Sequence, residues 1–140
     1  MQVRELMSRP VEGIGPDDRV VEAARRMRDC NVGVLPVREE DRIVGIVTDR
    51  DIVLRAIANG VDARRLAVRT VMTPRVVACR ADQDIKETAA LMEKHHVRRL
   101  PVTDLDGRLI GMLSLGDFPR RAEGSDVVAE ILEAVAARAK

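Results

Sequence analysis

Aromatic residues are nearly absent from this 140-residue chain, which has one phenylalanine, Phe118, and no tryptophan or tyrosine. Proteins that hold single-stranded nucleic acid stack the bases on aromatic rings, and this sequence offers no such platform. The formal net charge is only +1, whereas a dedicated nucleic-acid-binding domain presents a clearly basic face. The composition therefore argues against a nucleic-acid partner.

Long apolar runs and cysteine-rich motifs are also missing. No apolar run approaches the roughly 18 residues of a membrane span, so no membrane partner is expected. The first eight residues are charged and too short for a signal peptide. The two cysteines, Cys30 and Cys79, form neither a CxxC motif nor a disulfide framework. A cytoplasmic location in a reducing compartment is the expectation.

Signals for catalysis or for a metal centre are weak. The sequence has no Gly-x-Ser-x-Gly or Gly-x-x-x-x-Gly-Lys-[Ser/Thr] motif, and neither cysteine has a histidine in the same loop. We therefore predict no enzyme activity and no catalytic residue. A zinc site needs about four ligands, and Cys30, Cys79, His95 and His96 are the only cysteines and histidines in the chain. They are scattered, so no metal ligand is assigned, although pseudo-symmetry could bring some of them together.

An internal repeat organises the sequence. With an offset of 65, Leu35-Pro36-Val37 coincides with Leu100-Pro101-Val102. After one extra residue in the turn at 104–108 the offset is 66, and Gly45 meets Gly111. Each copy exceeds the length of a solenoid unit of about 20–50 residues, which suggests two halves about a pseudo-two-fold axis. The predicted divisions are domain 1 at residues 3–60, domain 2 at 68–122 and a C-terminal helix at 125–139.

Each half predicts the order β-α-β-β-α, and the fold class is α+β with a small mixed sheet and two helices per half. The first strands are expected at residues 11–14 and 76–79, and Asp17 and Asp82 are expected to N-cap the helices that follow. Apolar spacing of i, i+3, i+4 and i+7 predicts the buried helix faces. They comprise Val20, Ala23, Ala24 and Met27 in the first half and Ile85, Thr88, Ala89 and Met92 in the second.

A stretch at residues 45–52 recurs at residues 111–118. In each copy a glycine leads an apolar strand, a hydroxyl residue follows, and an acid stands three positions later: Thr48 with Asp51, and Ser114 with Asp117. The pattern has two interpretations. It is either a capping box that stabilises its own helix start, or a strand–helix junction whose backbone N–H groups and positive helix end suit a phosphate or a hydroxylated ligand.

Two complete copies of this order resemble a pair of CBS domains, also called a Bateman module. The resemblance rests on Leu-Pro-Val before each hairpin and Gly-[Ile/Met]-[Val/Leu]-[Thr/Ser]-x-x-Asp after it, and it covers roughly residues 3–122. Thr-Asp-Arg-Asp-Ile at 48–52 and Val-Arg-Arg-Leu-Pro-Val at 97–102 are typical of stand-alone bacterial CBS-domain proteins. The resemblance implies two pseudo-symmetric repeats packed face to face, and a homodimer that associates through its helices.

The resemblance also implies regulation. CBS pairs bind AMP, ADP, ATP or S-adenosylmethionine in clefts between the repeats, and a regulated partner, which this sequence does not name, reads the ligand state. No other cofactor is implied. The motif acid binds the ribose hydroxyls in the family, a role that falls to Asp51 and Asp117. A carboxylate accepts hydrogen bonds from both hydroxyls at once.

The other site residues follow from the same resemblance. Thr48 and Ser114 are expected beside the phosphate or ribose, and the base is expected near Ile14 or Cys79. Such a base would lie against aliphatic walls and hydrogen-bond to the backbone, which fits a chain with one aromatic residue.

The two halves differ in charge. Arg98 and Arg99 precede Leu-Pro-Val in the second half, where the first half has Gly33 and Val34. Basic residues at these positions contact ligand phosphates in several family members, and the planar guanidinium fork suits phosphate. We therefore predict that Arg98, Arg99 or both face the ligand; the alternative is that they are solvated or paired with acids such as Glu93.

Pro119 and Gly116 predict that the helix after Ser114 is short or distorted. The alternative function, from another class, is a structural or stress-related dimer whose clefts stay empty or bind metal.

Overall fold

The structure, a computed structural model, describes residues 1–9, 11–118 and 133–137. The chain forms two compact units. The first unit is Glu12–Val76, and the second combines Met1–Val11 with Val77–Lys140. Each unit holds the body of one repeat. The short segment that precedes each repeat belongs to the unit of the other repeat, so the compact units divide the chain at other places than the sequence repeat does.

The first unit contains helix α1 (Val20–Cys30), strands β1 (Val34–Glu39) and β2 (Arg42–Thr48), and helix α2 (Asp49–Ile52). A π-helical turn, Val53–Ile57, continues α2, and a 3-10 turn covers Val68–Thr70. Strands β1 and β2 form an antiparallel hairpin. The strand predicted at residues 11–14 is reduced to one parallel bridge between Ile14 and Val37.

The second unit contains β3 (Cys79–Arg80), α3 (Ile85–His95), β4 (Arg99–Thr103) and β5 (Leu109–Ser114), with 3-10 turns at Val3–Glu5 and Leu115–Asp117. The sheet order is β3-β4-β5, with β3 parallel and β5 antiparallel to β4. The extra residue of this hairpin is accommodated by Gly107, whose φ of 81° is free of a Cβ clash only for glycine. The predicted mixed sheet and the α+β class are confirmed.

The helix faces are largely as predicted, with three corrections. Ala24 is exposed, so its place in the buried stripe was wrong. Asp17 and Asp82 are not N-caps, because helices α1 and α3 begin later than expected, at Val20 and Ile85. The two carboxylates pair instead with Arg69 at 2.9 Å and Arg80 at 3.0 Å. The caps are Arg19 for α1 and Asp84, which accepts a hydrogen bond from the Lys86 amide, for α3.

Each unit has its own hydrophobic core. Phe118, the single aromatic residue, lies in the core of the second unit. The predicted C-terminal helix falls mostly outside the described residues, but 133–137 are helical and Val135 is fully buried in that same core. Within the described part of the chain, no helix combines the length and apolar character that crossing a membrane requires.

Two matching segments complete the units. The N-terminal segment (residues 3–8) is bound to the second unit through hydrogen bonds from the Val3 amide to the Gln83 carbonyl (3.0 Å) and from the Ser8 amide to the Met112 carbonyl (2.8 Å). The inter-repeat segment (residues 68–73) is bound to the first unit by a reciprocal backbone pair between Thr73 and Ile46. Burial of a valine such as Val3 contributes about 1.5–3 kcal/mol.

The glycine that opens each repeated stretch makes room for these segments. A Cβ atom on Gly45 would lie 2.7 Å from the Met72 sulfur, and one on Gly111 would lie 2.7 Å from the Met7 sulfur. Both distances are too short for a real contact. A larger residue would push the methionine side chain aside and press on a backbone oxygen, Thr73 O at 3.0 Å in the first unit and Ser8 O at 3.2 Å in the second. The motif glycine therefore permits the close approach of these segments.

Candidate functional site

The first strand–helix junction lies where β2 ends and α2 begins. The Thr48 amide donates to Asp51 Oδ2 at 2.9 Å, and the Asp51 amide donates to Thr48 Oγ1 at 3.1 Å. This reciprocal pair is a complete capping box. The remaining carboxylate oxygen, Asp51 Oδ1, lies 3.8 Å from Arg55 Nη1, a Coulombic contact rather than a hydrogen bond.

The second junction repeats the box on a shorter helix. The Ser114 amide donates to Asp117 Oδ2 at 2.8 Å, and the Gly116 amide donates to Ser114 Oγ at 3.2 Å. The helix is a single 3-10 turn, and Phe118 already has extended backbone angles (φ −70°, ψ 137°). A residue before a proline is disfavoured in the helical region. The prediction of a short or distorted second helix is confirmed.

Both capping boxes leave chemical capacity on the carboxylate. In each box the capping amide uses one oxygen, Oδ2. A carboxylate has about four lone-pair directions, so Asp51 and Asp117 can cap their helices and still accept hydrogen bonds from hydroxyl groups. The two interpretations of the repeated motif are therefore compatible within one geometry.

Arg98 and Arg99 lie directly beside the second junction. Arg99 is the cross-strand partner of Ser114, and the Arg98 carbonyl accepts a hydrogen bond from the Leu115 amide at 2.8 Å. The next pair along the ladder, Leu100 and Leu113, is fully buried. Because side chains alternate across a strand, Arg99 and Ser114 project from the face away from this core.

Neither of these two guanidinium groups is neutralised within the described chain. Both arginines are exposed. Among the described residues, ion pairs within 4.0 Å include neither Arg98 nor Arg99, and Glu93 is not their partner. Arg99 thus lies on the same face as Ser114 at one end of β4 and β5, and Arg98 adds a second exposed cation next to it in the chain. A cation, a hydroxyl and a carboxylate at one strand end suit an anionic ligand that carries hydroxyl groups.

The first unit has no arginine at the place equivalent to Arg98 and Arg99. The Asp49 amide donates to the Gly33 carbonyl at 2.9 Å, and a Cβ on Gly33 would lie 2.8 Å from Asp49 Oδ2. Gly33 therefore lets the Asp49 carboxylate pack against the backbone at the place where the second half has Arg98. This junction has no arginine at the Gly33-Val34 positions, and its nearby Arg55 already faces the Asp51 carboxylate at 3.8 Å. The two junctions therefore differ in the positive charge available to a phosphate group.

Ile14 and Cys79 lie in the hydrophobic cores of the first and second units, respectively. Both side chains are 1% exposed. The Ile14 amide and carbonyl are both hydrogen-bonded to β1, at Pro36 and Arg38. Burial raises the pKa of the Cys79 thiol to about 12, which keeps it a neutral apolar group at physiological pH.

Other candidate chemistry is limited. The described residues contain no group of three histidine, cysteine or acidic side chains that could hold a metal ion. A cleft of about 460 Å³ in the second unit lies at the far end of β4 from Ser114. Its lining contains none of the predicted site residues and comprises Arg4, Arg9, Ala81, Asp82, Thr103, Asp104, Leu105, Asp106 and Ile110.

Sequence reasoning missed Arg55, which contacts both Asp51 and the inter-repeat segment. Its spacing of four residues from Asp51 on a helix was the available signal. It also missed Gly33, whose role depends on a contact with Asp49 that the chain order does not reveal.

Comparison with known proteins identifies the family that shares this architecture. The CBS domain model matches residues 3–57 and 68–123. Hypoxic response protein 1 of Mycobacterium tuberculosis (strain ATCC 25618 / H37Rv) is 33% identical over 118 residues, which cover 84% of this chain and 82% of that protein.

Solved structures agree with this match. A crystal structure of Hypoxic Response Protein I with two coordinated zinc ions has a TM-score of 0.79 at 32% identity and covers 87% of this chain and 99% of its own. The CBS domain pair of MJ0100 with 5-methylthioadenosine and S-adenosyl-L-methionine has a TM-score of 0.73 at 26% identity (84% and 91% covered). CBSX2 in complex with AMP has a TM-score of 0.71 at 28% identity (83% and 91% covered). The chain belongs to the CBS-domain family and carries two CBS domains in tandem.

Proposed function

We propose that this protein is a regulatory module that binds an adenosine-containing ligand at its strand–helix junctions and has no catalytic activity of its own. The observation that carries the proposal is the second junction, where Arg99 lies opposite Ser114 and the Arg98 carbonyl accepts from the Leu115 amide, next to the Ser114–Asp117 capping box. Similarity to CBS-pair structures that hold AMP, or methylthioadenosine and S-adenosyl-L-methionine, supports the ligand class. A partner protein would read the ligand state.

Each residue has a distinct role in this proposal. Asp117, and Asp51 in the first unit, accept from the ribose hydroxyls. Arg98 and Arg99 bind phosphate groups, and Thr48 and Ser114 lie beside the phosphate or ribose. Ile14 and Cys79 contribute apolar walls near the base.

The experiment separates ribose from phosphate recognition. AMP, ADP, ATP and S-adenosylmethionine are titrated calorimetrically against the wild type, the Asp51→Ala/Asp117→Ala variant and the Arg98→Ala/Arg99→Ala variant. Loss of the two carboxylates should lower the affinity for every ligand. Loss of the arginines should weaken the phosphate-bearing ligands by about 1.5–3 kcal/mol, roughly 10- to 150-fold, and spare S-adenosylmethionine, which has no phosphate.

Arg108→Ala is the matched control, because it removes one exposed arginine from the opposite end of the same hairpin. It should leave all affinities unchanged. The proposal fails if no adenosine-containing ligand binds, or if the double arginine variant weakens S-adenosylmethionine and AMP equally.

We further propose that the protein is a homodimer whose contact includes the π-helical turn Val53–Ile57. Val53 and Leu54 are each 49% exposed and Ile57 is 62% exposed, and CBS pairs associate through their helices. Leu54→Glu/Ile57→Glu should yield a monomer in analytical ultracentrifugation. Leu105→Glu, at an apolar residue 78% exposed in a hairpin turn, should remain dimeric.

The zinc-containing structure of Hypoxic Response Protein I favours one alternative, a stress-related dimer that binds metal. Its test is a zinc titration with a chelator control. Stoichiometric zinc retained after chelation, with no response to any adenosine-containing ligand, would favour this alternative.

A further inference from the structure

Arg55 joins the first junction to the inter-repeat segment. Its Nη1 donates to the Val71 carbonyl at 2.8 Å and the Met72 carbonyl at 3.2 Å. The same nitrogen lies 3.8 Å from Asp51 Oδ1. One guanidinium group therefore contacts both the proposed ribose-binding carboxylate and a segment more than fifteen residues away in the sequence.

The two carbonyls that Arg55 reaches lie at an otherwise incomplete helix end. They follow the 3-10 turn Val68–Thr70, and the last carbonyls of a helical turn have no partner within it. Arg55 satisfies both from the π-helical turn Val53–Ile57. Turns of this kind are frequent at functional sites.

The inter-repeat segment returns to the same junction by a second route. Thr73 and Ile46 exchange both of their backbone hydrogen bonds, at 2.8 and 2.9 Å. Ile46 lies in β2, which ends at Thr48, the residue that caps α2 and binds the Asp51 carboxylate. The contacts therefore form a continuous ring: Asp51 contacts Arg55, Arg55 contacts the inter-repeat segment, and this segment pairs with β2, whose last residue binds Asp51.

We infer that Arg55 is a positioning residue that couples the Asp51 carboxylate to the inter-repeat segment, so that a ligand on Asp51 tightens this segment. The inference rests on the proposed function for its ligand, but the coupling itself is a property of the free protein. Coupling free energies are reciprocal: if the ligand stabilises the docked segment by some factor, the docked segment raises the ligand affinity by the same factor. Removal of Arg55 should therefore lower the ligand affinity by that factor. Arg55 is 49% and Asp51 15% exposed, so the factor is roughly two- to five-fold.

The first arm of the experiment needs no ligand. Amide hydrogen exchange at Ile46 and Thr73 is measured in the wild type, Asp51→Asn, Arg55→Gln and the double variant. Coupling predicts that Asp51→Asn speeds exchange roughly two- to five-fold when Arg55 is present and has no such effect in the Arg55→Gln background. Additive effects overturn the inference. If Arg55→Gln does not fold, Arg55→Lys takes its place and should show reduced coupling.

The second arm uses AMP as the probe. AMP should slow exchange at Thr73 and Ile46 in the wild type and in Arg64→Gln, a control whose arginine is paired with Asp62 at 3.0 Å. It should lose this effect in Arg55→Gln, with a matching fall in affinity. Binding of AMP that Asp51→Asn weakens, without any change at Thr73, refutes the inference and leaves the proposed function intact. Coupling in the first arm without AMP binding refutes AMP as the ligand and leaves the role of Arg55 standing.

Discussion

Gly45→Ala gives the sharpest test of how the first unit is held together. The new Cβ would lie 2.7 Å from the Met72 sulfur and 3.0 Å from the Thr73 carbonyl oxygen. The methionine side chain can move aside, but that oxygen accepts from the Ile46 amide at 2.9 Å. The backbone therefore cannot retreat without weakening a hydrogen bond. Overpacking of this kind costs about 1–3 kcal/mol.

The measurement is urea unfolding, with thermal unfolding as a second readout. The loss corresponds to about 2–4 °C in the melting temperature for each kcal/mol. Gly116→Ala is the control, because its Cβ meets only Ser114 Oγ at 3.6 Å, an ordinary contact. It should be neutral or stabilise by up to about 1 kcal/mol through the unfolded chain.

A double variant locates the strain. Met72→Ala removes the sulfur but leaves the Thr73 carbonyl in place, so it should relieve the cost of Gly45→Ala only in part. The coupling free energy between the two sites should be clearly different from zero. Equal stabilities of Gly45→Ala and Gly116→Ala would refute the account of the motif glycine as the residue that permits this close approach.

Three other outcomes follow from local contacts. Thr48→Ala removes the capping oxygen of α2 and should lower the unfolding free energy by about 1 kcal/mol, whereas Thr48→Ser should retain stability; equal losses would contradict the cap. The hydrogen bond from the Arg69 side chain lowers the pKa of Asp17, so the pair's contribution is present above the unfolded-state value and lost as the pH falls through the lower folded value. Asp17→Asn should therefore be less stable than the wild type at pH 7, and the difference in urea midpoint should vanish in acid; a pH-independent difference would exclude this pair as its cause. Burial, with the pKa of its thiol raised to about 12, should protect Cys79 from a thiol reagent at pH 8, while exposed Cys30 reacts; two fast-reacting thiols in the native protein would contradict the buried position.

The order of the secondary-structure elements could be predicted from the sequence because the repeat contains two copies of the same residue pattern. The helix faces of α1 and α3 follow from apolar spacing, and the distorted second helix follows from Pro119. The partner of Asp17, one of the two misassigned caps, could not be foreseen, because Arg69 is 52 residues away. Local propensity contains no information about such a partner.

Some features of the candidate site depend on local sequence and others on contacts between distant residues. The capping boxes at Thr48 and Ser114 are local and were visible in the residue pattern. The place of Arg99 opposite Ser114 depends on strand register, which the length of the hairpin turn fixes. Gly33 and Arg55 act through contacts with distant segments, so their roles required the three-dimensional structure.

The N-terminal segment and the inter-repeat segment each complete the unit that holds the body of the other repeat. The two units must therefore be completed one after the other during synthesis. The first unit, Glu12–Val76, is continuous in the chain, so a ribosome has made all of it once Val76 is complete. The second unit needs Val3 to reach Gln83 and Ser8 to reach Met112, contacts that close loops of about 80 and 100 residues and add to the entropic cost of folding. During synthesis Val3 has no site to enter until β3 and α3 have emerged. A fragment that begins at the second repeat would lack this valine, and its core would remain open at the place that the first residues of the chain normally fill.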